Sequence, residues 1–245
     1  MAACVSVKAI LFDAFGTVIH AEPEWESLRA ECLTIVHGTW SGRAIPMNRF
    51  LVAYEAARAH QHVRAAQGLE EFDFAQRFER TILACGAAPR DASEWGPIAA
   101  EKYHRFQQAL IHAYDQPAPT LVRLHEAGYK MALVSNYAHV GVLEDALTRL
   151  GIRKPFDALI ASGEVGFMKP HPAVFDAALR ALGERAQDAV MIGDSLANDV
   201  IGARKLGMRA IWAPYPRVRP APYTSEADAV IERLADLPSV IERLG

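Results

Sequence analysis

Short apolar runs alternate with helical segments along the second half of the chain, and this alternation is the feature that most constrains its fold. The runs lie at Lys130–Asn136, Asp157–Ala161, Ala189–Asp194, Arg209–Ala213 and, more briefly, Ala229–Ile231. Helices are predicted at Thr120–Glu126, Val142–Leu150, Pro172–Leu182, Ala197–Leu206 and Leu237–Leu244. Because strands that alternate with helices form right-handed βαβ units, the sequence predicts a parallel sheet.

An earlier strand and a long helical stretch precede this region. Val7–Asp13 is a strand-length apolar run, whereas from about Glu24 to Ala113 apolar residues recur at helical spacing without a comparable run. Four or five helices are predicted there. The predicted fold class is therefore α/β, with a Rossmann-like parallel sheet core and an inserted α-helical cap domain. The predicted core comprises residues 1–18 and 116–245, and the predicted cap comprises residues 19–115.

Composition excludes several classes of function. The 245 residues carry a net charge of −3, so the chain lacks an overall positive field for nucleic acid or an anionic membrane surface. No apolar stretch approaches the roughly 20 residues that a membrane span needs. Cys4, Cys32 and Cys85 have the spacing of neither a metal site nor a disulfide framework, so we expect reduced thiols and a cytoplasmic location. The expected partner is a small-molecule substrate, without nucleic acid or membrane, and the sequence does not indicate an oligomeric state.

Polar residues stand at the ends of three predicted strands. Asp13, Ser135–Asn136 and Gly193–Asp194 are these residues, and Asp199 follows in the next helix. In parallel sheets, ligands bind beyond the carboxyl ends of strands, so we expect these side chains to meet in one crevice. Carboxylates that cannot all ionise side by side usually need a cation between them, and oxygen ligands favour Mg²⁺. Taken singly, Asp13 is as compatible with a turn or a helix cap as with a functional site. Ser135–Asn136 is more typical of a turn, and Lys169 of a solvated surface charge.

Four segments in this order resemble the motifs of the haloacid dehalogenase superfamily of hydrolases. They are Leu11-Phe-Asp-Ala-Phe-Gly-Thr17, Val134-Ser-Asn136, Lys169-Pro170 and Ile192-Gly-Asp-Ser-Leu-Ala-Asn-Asp199. The resemblance covers the predicted core. The middle of the chain is similar to the family's helical cap by position and helicity only.

The resemblance implies roles for five catalytic residues. Asp13 would be the nucleophile that forms a covalent intermediate. Thr17 and Ser135 would hydrogen-bond the transferring group, and Asn136 belongs to the same motif as Ser135. Lys169 would offset the charge on the nucleophile and on the oxygens of the substrate.

The resemblance also implies a Mg²⁺ site. Asp194, Asp13 and the backbone carbonyl of Phe15 would ligate the ion. Asp199 would either orient Lys169 or bind through the outer coordination sphere of the metal. In phosphoryl transfer, the ion lets an anionic carboxylate approach an anionic phosphate.

Phe15 departs from the pattern of the family's phosphatases, which usually carry a second aspartate there to protonate the leaving oxygen. An aromatic residue at this position resembles the 2-haloacid dehalogenases, whose halide leaves without a proton. The presence of Asp194 in the fourth motif, in contrast, is similar to the pattern of the phosphatases. The first expectation is a Mg²⁺-dependent phosphatase acting on a small phosphorylated metabolite. The alternatives are a metal-independent 2-haloacid dehalogenase and a binder that retains the fold with little turnover.

Four further residues are weaker candidates. Arg29, Arg43 and Arg49 lie where the dehalogenases carry a cluster that grips halide and carboxylate, although surface roles are more common for such arginines. His171, close to Lys169, could contact substrate, although a loop histidine is more often solvated.

Overall fold

The computed structural model describes residues 7–22, 25–42, 44–71, 73–114, 116–214 and 225–244. The chain divides into two compact units. The sheet unit comprises Met1–His20 and His112–Gly245, and the helical unit comprises Ala21–Ile111. Cys4, Arg43 and the Pro-rich loop after Pro214 fall wholly or mainly outside the described residues.

A six-stranded parallel sheet forms the centre of the sheet unit. Its strands are β1 (Ala9–Phe12), β4 (Lys130–Ser135), β5 (Ala158–Ala161), β6 (Ala189–Gly193), β7 (Arg209–Trp212) and β8 (Ala229–Val230). Their order is β5-β4-β1-β6-β7-β8, and every pair is parallel. Two short strands, β2 (Ile19–Ala21) and β3 (Ile111–Ala113), pair with each other separately. The predicted Rossmann-like sheet is confirmed.

The central strands β1 and β6 are apolar and buried along their whole length because both faces of the sheet are covered. In β1, Leu11 and Ile10 point to opposite faces, and both are fully buried. Leu11 belongs to a cluster with Val134, Met191 and Phe175, which brings one helix against three neighbouring strands. An apolar run without alternation is therefore the expected signature of each of these strands.

Six helices accompany the sheet in the described residues. They are α5 (Ala118–Glu126), α6 (Val140–Arg149), α7 (Ser162–Val165), α8 (Pro172–Leu182), α9 (Gly202–Lys205) and α10 (Leu237–Leu244). Two predictions need correction. The α5 helix begins before Thr120, which is buried inside it, because Pro119 is tolerated in the first turn of a helix. The predicted helix Ala197–Leu206 is a π-helix over Leu196–Ile201 followed by α9.

The strand order creates a topological switch at β1. From β1 the chain continues to β4 and β5 on one side, and then crosses to β6, β7 and β8 on the other. The carboxyl ends of β1, β4 and β6 are therefore neighbours at one edge of the sheet. This is where ligands bind in open parallel sheets.

The helical unit contains four helices in its described residues. They are α1 (Trp25–His37), α2 (Met47–Gly68), α3 (Phe74–Ala84) and α4 (Pro89–Ala109). Aromatic side chains fill its core, where Phe78 packs edge-on against Trp95 at 5.8 Å and against Tyr103 at 5.7 Å. Over the part of the chain that the structure describes, no helix combines the length and the apolar character that crossing a bilayer would need.

Candidate active site

Asp13 stands immediately after β1, where the strand opens into a tight loop. Its backbone N–H donates to the carbonyl oxygen of Ile192 at 2.8 Å, so the hydrogen-bond ladder to β6 holds it in place. Gly16, three residues on, has a φ of +93°, which favours glycine. A Cβ atom there would lie 2.3 Å from Oδ2 of Asp194. Glycine thus allows the loop and this carboxylate to approach each other.

Lys169 is a buried cation that joins two of the carboxylates. Its ammonium lies 2.7 Å from Oδ1 of Asp13 and 2.7 Å from Oδ1 of Asp199. It also donates to the carbonyl oxygen of Val134 in β4 at 2.8 Å. Two hydrogen bonds and one close ion pair therefore hold the side chain beside Asp13.

Asn136 determines where Lys169 lies. Its Oδ1 accepts from the backbone N–H of Lys169 at 2.6 Å, and its Nδ2 donates to the backbone carbonyl of Lys169 at 3.0 Å. The amide thus ties the end of β4 to a loop that lies 33 residues further along the chain. In this arrangement Asn136 acts through Lys169, as a positioning residue.

Thr17 and Ser135 are both buried beside the nucleophile position. The Thr17 hydroxyl donates to Oδ2 of Asp13 at 3.2 Å and so helps to fix the plane of the carboxylate. Ser135 ends β4, is 1% exposed, and lines the pocket described below. Both hydroxyls are thus brought to the end of β1, where the sequence predicted them.

Asp13, Asp194 and Asp199 form a cluster of carboxylates. One oxygen atom from each lies within 4.8 Å of the others. The Asp199 Oδ2 accepts from the backbone N–H of Ser195 at 3.0 Å, while its Oδ1 faces Lys169. Both oxygens of Asp199 are therefore engaged, one by the ion pair with Lys169 and the other by the loop backbone.

The charges in this cluster do not balance. Among these four groups negative charge is in excess, because Lys169 pairs with Asp13 and Asp199 while Asp194 adds a further carboxylate. A divalent cation beside Asp13 and Asp194 would remove that surplus, and an oxygen-only donor set is the set that hard cations prefer. The residues present therefore fit a divalent metal ion.

The surplus charge also changes the acidity of the groups. Burial raises the pKa of Asp13 to about 7, with Asp199 and Asp194 adding to the rise and Lys169 opposing it. Burial alone would lower the pKa of Lys169, but Asp13 and Asp199 raise it above its ordinary value. Lys169 is thus a permanent cation at neutral pH, whereas ionisation of Asp13 is poised near neutrality.

A pocket of about 150 Å³ opens above these groups. Its lining comprises Asp13, Phe15, Ser135, Asn136, Lys169, Asp194, Ser195, Asn198 and Asp199. Sequence reasoning did not single out Ser195 and Asn198 as site residues. The sequence feature that could have identified them is a serine at a helix N-terminus. The Ser195 hydroxyl accepts from the backbone N–H of Asn198 at 3.2 Å at the start of the π-helix.

Phe15 lines this pocket and packs against a second aromatic residue. The Phe15 ring packs against the Tyr137 ring with 5.3 Å between their centroids. Tyr137 was also missed, although it directly follows the Ser135–Asn136 motif. The backbone of Tyr137 is anchored, since its carbonyl accepts from the N–H of Gly163 at 3.1 Å. Where a carboxyl group was expected in a phosphatase, the pocket wall is hydrocarbon.

The weaker candidates have other contacts. The His171 ring stacks on Phe167 at 4.0 Å, and its Nδ1 accepts from the backbone N–H of Ala173, so it caps α8 and does not line the pocket. Arg29 forms an ion pair with Glu55 at 3.1 Å, and Arg49 donates to the backbone carbonyl of Ala84. These arginines make the structural contacts that are common on helix surfaces.

The chain is similar to known hydrolases. The family model of haloacid dehalogenase-like hydrolases matches residues 7–207. Glyceraldehyde 3-phosphate phosphatase of Pyrococcus abyssi is 35% identical over 151 residues, which are 61% of this chain and 63% of that protein. The chain thus spans less than two thirds of that relative's length. The same-named protein of Methanopyrus kandleri is 29% identical over 97% of this chain and 98% of its own.

A solved structure shares the fold over the whole chain. The 2-haloacid dehalogenase from Pseudomonas syringae pv. Tomato DC3000 aligns with a TM-score of 0.74 and 21% identity, covering 98% of this chain and 100% of its own. At this level of identity, the similarity establishes a shared fold.

Proposed function

The chain belongs to the haloacid dehalogenase-like hydrolase family, and from this membership we propose that it is a Mg²⁺-dependent phosphatase acting on a small phosphorylated metabolite. The observation that carries the proposal is the cluster of Asp13, Asp194 and Asp199 around Lys169. Metal-independent hydrolysis of a carbon–halogen bond has no need of Asp194 as a metal ligand. The names of the curated relatives, which are phosphatases, support the same choice.

In the proposed reaction, the phosphoryl group is transferred first to Asp13 and then to water. A carboxylate oxygen of Asp13 attacks phosphorus, the bond to the leaving oxygen breaks, and its electron pair departs with the leaving group. Water then attacks phosphorus, the bond between phosphorus and Asp13 breaks, and phosphate is released with the carboxylate restored. Lys169 and the Ser135 hydroxyl stabilise the phosphoryl oxygens, and Thr17 holds the Asp13 carboxylate in place.

Asp13, Asp194 and the backbone carbonyl of Phe15 would hold Mg²⁺, with Asp199 orienting Lys169. When bound, the ion supplies positive charge that offsets the repulsion between carboxylate and phosphate. Mg²⁺ is favoured over Zn²⁺ because every donor is oxygen.

A cytoplasmic location completes the proposal. Cys32 and Cys85 are free and buried, as thiols are in a reducing compartment.

The second candidate is metal-independent 2-haloacid dehalogenation, and Phe15 is the observation that favours it. The pocket wall at this position offers a halide an apolar surface and no proton donor. A binder with little turnover is the remaining alternative.

Phosphate release from a panel of phosphorylated metabolites tests the proposal. We expect release that needs Mg²⁺ and stops with chelator. Asp194→Asn should lower kcat/KM by about 10²-fold or more, since the charge stabilisation by a metal is worth several kcal/mol. Asp145→Asn, at an exposed acid on α6, is the matched control and should leave it unchanged.

Two results would contradict the proposal. Halide release from a 2-haloalkanoic acid that is indifferent to chelator would establish the dehalogenase. Absence of both products at high enzyme concentration would favour the binder.

A further inference from the structure

The oxygen that leaves phosphorus needs a proton when its conjugate acid is weak. An alkoxide resembles hydroxide, whose conjugate acid, water, is a very weak acid. A positioned acid that donates this proton contributes about 10²–10⁴-fold to the rate. The described residues that line the pocket therefore decide which leaving groups the site can expel.

The ammonium of Lys169 is not placed to donate that proton. It lies 2.7 Å from Oδ1 of Asp13, 2.7 Å from Oδ1 of Asp199 and 2.8 Å from the carbonyl oxygen of Val134. Two hydrogen bonds, to Asp13 and Val134, and one close ion pair, to Asp199, thus engage the ammonium. Proton transfer to a leaving group would leave the carboxylates without their shared cation.

The carboxyl groups of the pocket are also committed. Asp13 forms the new bond to phosphorus, and Asp199 accepts from Ser195 through Oδ2 and faces Lys169 through Oδ1. Asp194 belongs to the donor set that would hold the cation, in which carboxylates are ionised.

The other lining residues offer no acidic proton. The Asn136 amide is bonded to the backbone of Lys169 through both its oxygen and its nitrogen. The Ser135, Ser195 and Asn198 side chains carry hydroxyl or amide groups, which are not acids near neutral pH. Phe15 is hydrocarbon and packs against Tyr137.

Resting on the proposed phosphatase activity, we infer that the substrate is a phosphoric anhydride, in which phosphorus is joined through oxygen to an acyl carbon or to a second phosphorus. Asp13 forms a bond to phosphorus, the bridging P–O bond breaks, and its electron pair leaves on a carboxylate or phosphate without a proton. Carboxylic acids have a pKa of about 4 and phosphate monoesters a second pKa of about 6, so both anions are stable in water. Water hydrolyses the aspartyl phosphate as before.

The leaving-group dependence of kcat/KM tests this inference, because kcat/KM covers only the steps up to transfer to Asp13. Aryl phosphates that differ in the pKa of the phenol are the probes, assayed with the full chain and Mg²⁺. We expect kcat/KM to fall by more than about threefold per unit of phenol pKa, as Brønsted behaviour without proton donation requires. A flat series would overturn the inference, because it would show that an acid from elsewhere in the chain protonates the leaving oxygen.

Substitution of Phe15 gives the matched comparison. Phe15→Asp adds an acid and should raise kcat/KM for glycerol 1-phosphate by about 10²-fold or more. Phe15→Asn has the same size without the acid and should give no such gain. Equal effects of the two variants would overturn the inference. If Phe15→Asp fails to fold, the wild-type series still decides.

Tyr137→Phe tests the phenol that packs against Phe15. We expect an unchanged dependence on leaving-group pKa, and a steeper one would identify Tyr137 as the acid and overturn the inference.

Acetyl phosphate and inorganic pyrophosphate separate the two kinds of anhydride. We expect kcat/KM for at least one of them to exceed that for glycerol 1-phosphate by about 10²–10⁴-fold. Rates within tenfold of glycerol 1-phosphate for both would overturn the inference and leave the proposed function standing. Release of phosphate from none of these compounds would overturn both.

Discussion

Asp13 is a buried carboxyl group whose ionised form is disfavoured by its surroundings in the fold. Asp13 and Asp199 share the Lys169 ammonium, and burial raises the pKa of Asp13 from 3.8 to about 7. Such surplus charge is characteristic of sites that await a charged ligand. At the residue scale, function and stability are therefore opposed at this position.

Asp13→Asn should abolish turnover and, without metal, stabilise the protein at neutral pH. The folded-state pKa lies above the unfolded value, so the wild type loses stability as pH rises from about 4 to about 7. The variant lacks this loss, and Lys169 retains Asp199 as its partner. Urea unfolding with chelator at pH 4.5 and pH 7.5 measures the difference.

The stability gain should be large at the higher pH and small at the lower one, and Mg²⁺ should reduce it by binding the wild type more tightly. The same difference at both pH values would contradict the raised pKa. Surviving turnover would refute Asp13 as nucleophile.

The loop after β1 is the element on which the site depends. Gly16 and Gly128 both have left-handed backbones, with φ of +93° and +90°, so an alanine at either position carries a similar backbone cost. Only at Gly16 would the added Cβ meet a carboxylate, 2.3 Å from Oδ2 of Asp194. At Gly128 it would meet nothing within 4 Å.

Gly16→Ala should therefore raise the Mg²⁺ concentration needed for half-maximal activity by roughly tenfold or more, an effect of the size that disturbed metal ligands produce. Gly128→Ala should lose a comparable amount of thermal stability with its Mg²⁺ requirement unchanged. A titration of activity against Mg²⁺ for both variants makes the comparison. Equal Mg²⁺ requirements of the two variants would show that metal binding by Asp194 does not depend on the close approach of Gly16.

The sequence predicted the six strands of the parallel sheet because each is a short apolar run, and β1 and β6 are buried along their whole length. It missed the short strands β2 and β3, which have no such run. It also missed the π-helix over Leu196–Ile201, whose hydrogen-bond shift leaves no periodic signal. The contacts of Lys169 were likewise beyond prediction. Its partners include the backbone carbonyl of Val134 and an amide 33 residues away, and neither is visible in a residue pattern.

At the scale of the whole molecule, the strand order determines which distant residues become neighbours. The sequence indicated that polar strand ends would meet, and the order β5-β4-β1-β6-β7-β8 brings the ends of β1, β4 and β6 together. The helical unit Ala21–Ile111 interrupts this sheet in the sequence. Its role as a cap over residues 19–115 stays a prediction, since its residues carry no motif that indicates a ligand.

The central claim is that Asp13 carries the phosphoryl group during turnover. Acid quenching during turnover, followed by borohydride, converts an aspartyl phosphate to homoserine, which peptide mass spectrometry locates. The account predicts homoserine at position 13 when substrate and Mg²⁺ are both present, and its absence with chelator. Phosphate release under the same conditions with Asp13 unmodified would contradict the account.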